Sequence, residues 1–136
     1  MSDCLFCKII ASEIPSEKIY EDERVYAFLD INPVNPGHIL IVPKVHSQNL
    51  YDTDDEALSS IIIIAKKIAI AAKQALKADG INIEINNEPA AGQVIFHMHI
   101  HVIPRLKDDG AHYWKKTPYS EGEDKKIAEK IRATLQ

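Results

Sequence analysis

Residues 96–105 read Phe96-His97-Met98-His99-Ile100-His101-Val102-Ile103-Pro104-Arg105, and three of the six histidines of the chain alternate there with apolar residues. A period of two is the period of a β-strand, in which side chains at i, i+2 and i+4 share one face. The pattern predicts a strand that puts Met98, Ile100 and Val102 into a core and gathers His97, His99 and His101 on the opposite face. A helix would scatter the three rings, because helical positions two apart do not meet. Pro104 has no N–H for a ladder bond, so the strand is expected to end there. One histidine on an apolar face reads as a hydrogen-bonded core residue. Three in strict alternation call for chemistry, and imidazole offers two kinds: metal ligation, and nucleophilic or acid–base work near neutral pH.

The chain around this stretch has 136 residues, 46% of them apolar and 26% charged, which suits one globular domain with its own core, residues 1–136. A net charge of −4 excludes a broadly basic nucleic-acid surface or a polybasic membrane patch, so an anionic substrate has to be held by local donors. The N-terminus lacks the basic and apolar regions of a signal peptide, and no apolar run reaches the length of a membrane span. With two cysteines spaced Cys4-x-x-Cys7 and no secretory signal, the expected location is cytoplasmic, with the thiols reduced.

In chain order, Cys4 to Ala11 reads as a short helix ended by Ile14-Pro15. Ile19-Tyr20, Val25 to Leu29 and His38 to Val42 read as strands, the last closed by Pro43, with a Pro- and Gly-containing loop over 30–37. Thr53-Asp54-Asp55-Glu56 has the form of a capping box before the longest helix, and Gly80 that of its stop. Leu58, Ile61, Ile62, Ala65, Ile68, Ala69, Ala72, Ala75 and Leu76 make its buried stripe. Ile63, Ile64 and Ile70 widen that stripe beyond what one sheet needs, which points to a second helix or a dimer partner. The dimer is preferred, because only one other long helix is available. Ile81 to Asn86 is a strand, and the loop 87–93 joins it to the histidine strand as a hairpin. Ser120-x-x-Glu123 caps a last helix carrying Ile127, Ile131 and Leu135, and Tyr113 and Trp114 are candidate anchors for the irregular stretch before it. The fold class is α+β, an antiparallel sheet of about five strands with one long helix packed on it.

Gly92-Gln93 precedes the histidines, and Asn86 ends the neighbouring strand. Gly92 alone fits a hairpin turn; beside three histidines, Gly92, Gln93 and Asn86 become donors around a nucleophile. At this point the sequence resembles the histidine-triad (HIT) family of nucleotide hydrolases and transferases. The signature His-x-His-x-His followed by two apolar residues is met by residues 97–103. Further blocks are Phe6-Cys7-Lys8-Ile9-Ile10, Ala27-Phe28-Leu29-Asp30-Ile31-Asn32-Pro33, Pro36-Gly37-His38, Ile41-Val42-Pro43-Lys44 and Ala91-Gly92-Gln93. The likeness covers roughly 4–106, is greatest to a bacterial-type purine nucleoside phosphoramidase-like branch, and leaves 107–136 divergent.

The resemblance implies His99 as the nucleophile on an α-phosphate, with His97 and His101 contacting phosphate beside it. It implies phosphate contacts from Gln93 and Asn86, and ribose contact from Asp30. Phe6, Ile9, Phe28 and Ile31 would wall a purine pocket, with His38 supporting from behind. Without the family, the four apolar residues are equally core, and Asp30 a turn former. Cys4-x-x-Cys7 alone reads as two buried small residues or a redox pair. The resemblance adds structural zinc held by Cys4, Cys7, His46 and His97. A catalytic zinc on His97, His99 and His101 is disfavoured, because alternate strand side chains stand about 6.5–7 Å apart. Glu88 stands where family members often have glycine, and Val94 where relatives in the eukaryotic phosphoramidase branch have a hydroxyl. The implied function is release of a nucleoside monophosphate from a purine nucleotide conjugate, by a homodimer, through a covalent nucleotidyl-histidine. The alternatives are a diadenosine polyphosphate hydrolase and a nucleotide-binding adaptor. The leaving group (amine, polyphosphate, acyl or sugar phosphate) stays open.

Overall fold

The apolar run between Val25 and Val42 folds into two central strands, β2 (Val25–Leu29) and β3 (Ile39–Pro43), buried at every position. They continue β1 (Lys18–Glu21) as an antiparallel meander. β4 (Gly80–Glu84) and β5 (Ile100–Arg105) complete a five-stranded sheet in the order β1-β2-β3-β5-β4, antiparallel throughout. The computed structural model describes residues 3–110 and 116–135, so the expected anchors Tyr113 and Trp114 lie outside the described residues. The α+β class and the five-stranded sheet agree with the sequence reading.

The strand boundaries differ from it. β5 starts at Ile100, not before His97, and runs through Pro104, which pairs opposite Ile81. β3 accompanies β5 only as far as Val102. Beyond that point β5 needs ladder bonds on one side only, the situation in which proline is tolerated. The link between β4 and β5 is therefore not a short hairpin loop but residues 85–99, with a tight turn at Pro89–Ala91. The alternation of faces survives: Met98, Ile100 and Val102 all enter the main core.

That core lies between the sheet and α2 (Asp55–Leu76), which buries Ile61, Ile64, Ala65, Ile68, Ala71 and Ala72. The cap is one residue later than expected: Asp54 Oδ1 accepts from Ala57 N at 2.9 Å, while the Thr53 hydroxyl donates to Asn49 O at 2.7 Å. Lys77, in the left-handed conformation, ends the helix; Gly80 instead opens β4. Ile64 belongs to the buried stripe, whereas Ile62, Ile63 and Ile70 are half exposed. α3 (Glu123–Thr134) brings Ile127, Ala128 and Ile131 into the same core beside α2. No helix among the described residues is long and apolar enough to cross a membrane.

The other face of β2 and β3 carries a second, smaller core. α1 (Leu5–Ile10) lays Phe6 and Ile9 over Tyr26, Phe28, Leu40 and Val42. The 30–37 loop meets the end of α2 at Gly37, whose φ is +90° and whose missing Cβ leaves room for Leu76 and Pro104. Its N–H donates to Tyr119 Oη at 3.0 Å. Gly122 has a similar φ, +80°, but nothing within 4 Å of a built Cβ. Gly37→Ala is expected to lose about 2–4 kcal/mol, strain plus collision, and Gly122→Ala only about 1 kcal/mol of strain. Urea denaturation of the two variants checks this; equal losses would rule out the Leu76 contact as the cause.

Candidate functional site

The side chains that β2, β3, β5 and β4 send away from α2 floor a cavity of about 630 Å³, walled on one flank by α1. One end is apolar. Phe6 stands edge-on to His99 with ring centroids 5.0 Å apart and edge-on to Phe28 at 5.5 Å, and Phe28 continues to Tyr26 at 5.8 Å. Ile9, Leu40 and Ile14 fill the spaces between, and Ile31 lines the rim while 74% exposed. At the middle stand His99, His101, His38 and Asp30; Asn86 and Gly92 lie on the far side.

The protons of these histidines follow from their partners. Val34 N–H can only donate, and it lies 3.1 Å from His38 Nδ1, so that nitrogen is the acceptor. Burial lowers the His38 pKa to about 4, which keeps the ring neutral with its proton on Nε2. Nε2 lies 2.9 Å from His101 Nδ1 and 3.7 Å from Asp30 Oδ2, so it donates to His101. His101, lowered to about 3 chiefly by burial, then carries its own proton on Nε2. His99 Nδ1 donates to the carbonyl of His97 at 2.7 Å, leaving Nε2 with a free lone pair. Burial lowers the His99 pKa, and the His97 carbonyl and Asp30 oppose that shift. Burial likewise raises Asp30, whose Oδ1 accepts from Asn32 N at 2.9 Å.

His97 faces elsewhere. Its Nε2 donates to Pro43 O at 2.8 Å, and its Nδ1 turns to Cys4 Sγ and Cys7 Sγ, each at 3.5 Å, and to His46 Nδ1 at 3.2 Å. Cys7 Sγ is 3.4 Å from His46 Nδ1. A tetrahedral ion with metal–sulfur bonds of about 2.3 Å and metal–nitrogen bonds of about 2.0–2.1 Å sets its ligand atoms about 3.3–3.8 Å apart. The separations of 3.2–3.5 Å lie at or close to that range, and all four atoms stand within 4.8 Å of one another, close enough for a Cys₂His₂ ligand set. Burial raises the Cys7 pKa, an effect a bound cation would reverse. Asp30, His38 and His101 also approach one another. With both His38 nitrogens committed to Val34 and His101, however, that group has no free His38 lone pair for an ion.

Two expected phosphate contacts are not among the residues that line the cavity. His97 is fully buried, and both its ring nitrogens are engaged away from it. Gln93 is buried and spends its amide on the 85–99 loop: Nε2 donates to Gln48 O at 2.7 Å and Ile95 O at 3.1 Å, and Oε1 accepts from Glu88 N at 2.8 Å. Its signal as a loop fastener is invisible in sequence, because all three partners are backbone atoms and one of them, Gln48 O, is 45 residues away. Glu88 takes a φ of +77°, which accounts for glycine being favoured there, and its carboxylate turns outward to Tyr51 Oη at 3.1 Å. Val94 lines the cavity and is exposed. Sequence reasoning missed Glu84, Ser16 and Lys116 in the lining. Glu84 was findable, since it lies two residues before Asn86 on the same strand face.

Residues 11–108 match the HIT domain family. An uncharacterized HIT-like protein of Borreliella burgdorferi is 50% identical over 112 residues, 81% of each chain. An Arabidopsis thaliana protein named adenylylsulfatase HINT3 is 44% identical over 108 residues, 79% of this chain and 55% of that protein. The crystal structure of a Zn-bound histidine triad family protein from Mycobacterium smegmatis superposes with a TM-score of 0.89 at 38% identity, over 98% of this chain and 94% of that one. The fold is thus that of a HIT domain. The chain belongs to the histidine-triad family.

The buried neutral state of His38 has a pH consequence. Its folded pKa of about 4 lies below the ordinary 6.5, so the unfolded chain binds the proton first. Its contribution to stability is full above pH 6.5 and falls away as pH drops toward 4. His38→Asn keeps an acceptor for Val34 and a donor for His101 without titrating. The pH dependence of the urea midpoint between 6.5 and 4 is therefore expected to be shallower in the variant. Identical slopes would mean that His38 is not held neutral.

Proposed function

We propose that this HIT-family chain is a nucleotide hydrolase or nucleotidyl transferase that attacks the α-phosphate of purine nucleotide conjugates, with adenosine phosphoramidates as the favoured class. The observation that carries the reading is His99: neutral, fixed by a 2.7 Å hydrogen bond at Nδ1, and lining the cavity with Nε2 free. A nucleophilic imidazole needs that combination of tautomer and orientation. The aromatic end of the cavity, with Phe6, Ile9 and Phe28, takes the purine, and Ile31 covers it. Asp30 accepts from the ribose hydroxyls. His101 Nε2–H and Asn86 donate to the phosphoryl oxygens, where charge builds up. Gln93 and His97 act indirectly, Gln93 by fixing the loop and His97 by holding His99 through its carbonyl.

His99 Nε2 bonds to phosphorus as the bond to the leaving group breaks. Water then displaces the histidine and releases the nucleoside monophosphate. In sum one water is consumed: its hydroxyl goes to phosphorus and its proton to the leaving group. The relative named an adenylylsulfatase supports the same class of reaction, cleavage at the phosphate of an adenylyl group.

Cys4, Cys7, His46 and His97 would hold structural zinc, a reading supported by the mutual closeness of their ligand atoms and by the Zn-bound relative. When bound, the ion neutralises the two thiolates and fixes the ring of His97. A homodimer is supported by Ile62, Ile63 and Ile70 on α2 and Ile83 on β4, between 42% and 56% exposed, beside the open edge of β4. A second copy would cover this apolar surface and extend the sheet.

Adenosine phosphoramidate turnover tests the catalytic assignment. His99→Ala should lower kcat/KM by about four orders of magnitude or more while AMP still binds. Faster wild-type turnover of a diadenosine polyphosphate would move the chain to the polyphosphate branch; AMP binding without turnover of either would make it an adaptor. Native mass spectrometry tests metal and assembly together. Two chains with two zinc ions are expected, and a metal-free monomer would remove both.

A further inference from the structure

One row of paired residues crosses the floor of the cavity. Phe28 on β2 pairs with Leu40 on β3, Leu40 with His101 on β5, and His101 with Glu84 on β4. Directly opposite residues in a sheet share a face, and all four line the cavity. With strands about 4.7–4.9 Å apart, the row from Phe28 to Glu84 spans about 14–15 Å. Its character changes along that length, from apolar through imidazole to carboxylate. A nucleoside in the apolar half brings its α-phosphate to His99 and His101. The group that departs from that phosphate is then left with the β4 side, where Glu84, Asn86 and Gly92 stand.

Glu84 is half-buried and, among the described residues, has neither an ion pair nor a hydrogen bond. The nearby guanidinium of Arg105 is taken by Asp109, at 2.9 Å from Nη2 and 3.1 Å from Nε. Glu84 therefore presents to the leaving-group side of the cavity a carboxylate that Arg105 offsets only through space, without a direct contact. Nothing in the proposed chemistry needs that charge, and it would work against a polyphosphate or sulfate leaving group.

We propose that Glu84 is a specificity-determining residue, whose carboxylate binds a positive charge on the leaving amine and repels anionic leaving groups. The preferred substrates are then nucleoside phosphoramidates of amines that carry a second, protonated nitrogen. The inference rests on the nucleotide-hydrolase reading above. In each turnover the phosphorus–nitrogen bond breaks, the amine leaves with a proton from water, and the hydroxyl remains on phosphorus.

Three AMP conjugates of nearly equal size test this: those of ethylenediamine (cationic), propylamine (neutral) and glycine (anionic). Wild type should favour them in that order by kcat/KM. Glu84→Gln should lower the cationic-to-anionic ratio about 10-fold, as expected for one partly buried charge, and leave the propylamine conjugate within about threefold. Raising the salt from about 50 to 500 mM should narrow the wild-type ratio without any variant. An unmoved ratio, with the neutral conjugate still hydrolysed, overturns the role of Glu84 alone. So does an equal fall on all three conjugates. No AMP release by wild type from the neutral conjugate overturns the hydrolase reading, and this inference with it.

Discussion

A single hydrogen bond, from His99 Nδ1 to the carbonyl of His97, sets the terms for the rest of the site. It selects the tautomer, aims the other nitrogen into the cavity and ties the middle histidine to the fully buried His97. Because the acceptor is a main-chain oxygen, its position depends on everything that holds residue 97: the Pro43 carbonyl on one side of its ring and the Cys4–Cys7–His46 group on the other. The three histidines are thus not equivalent copies. One shapes the backbone, one is the candidate nucleophile, and one is oriented by His38 from behind. Their division of labour comes from which nitrogens are already engaged, not from their order in the chain.

The sheet makes this arrangement compatible with stability. Its two faces are assigned to different tasks. The α2 face carries a large aliphatic core, to which Met98, Ile100 and Val102 contribute every second residue of the histidine stretch. The opposite face is only partly covered, by α1, and what α1 leaves open is the cavity. Burial on that face keeps four histidines neutral, and neutrality is what a nucleophile and its orienting partners require. Low dielectric surroundings and function therefore do not conflict here.

Much of this was legible in the sequence. Alternation from His97 to Val102 placed Met98, Ile100 and Val102 in the core, and the apolar stripe of residues 61–72 located the long helix. What was not legible depends on long-range geometry. β5 begins only at Ile100 because Met98 N bonds to Ser47 O, a partner about fifty residues away. Pro104 stays in the strand because the pairing with β3 ends at Ile39, opposite Val102. Gln93 looks like a ligand donor in sequence, whereas in the fold its amide braces backbone groups, the Glu88 N–H and the Gln48 and Ile95 carbonyls, that no pattern marks. The Cys₂His₂ group came from family likeness rather than from spacing, because Cys4 and His97 meet only in the folded chain.

Cys4 occupies two roles at once. Its sulfur accepts from Cys7 N at 3.4 Å, capping α1, while it faces His97 at 3.5 Å. α1 is the element that supplies Phe6 and Ile9 to the cavity wall. The cysteine group thus touches both the wall against which a base would rest and the residue whose carbonyl steers His99. Two ligands that share such a hub are bound by thermodynamic reciprocity. If an ion at the cysteines stiffens the wall and so tightens the hold on a nucleotide, the nucleotide must tighten the hold on the ion by the same factor. The cell's free metal level and its nucleotide conjugates would then be read by one protein as a single combined signal.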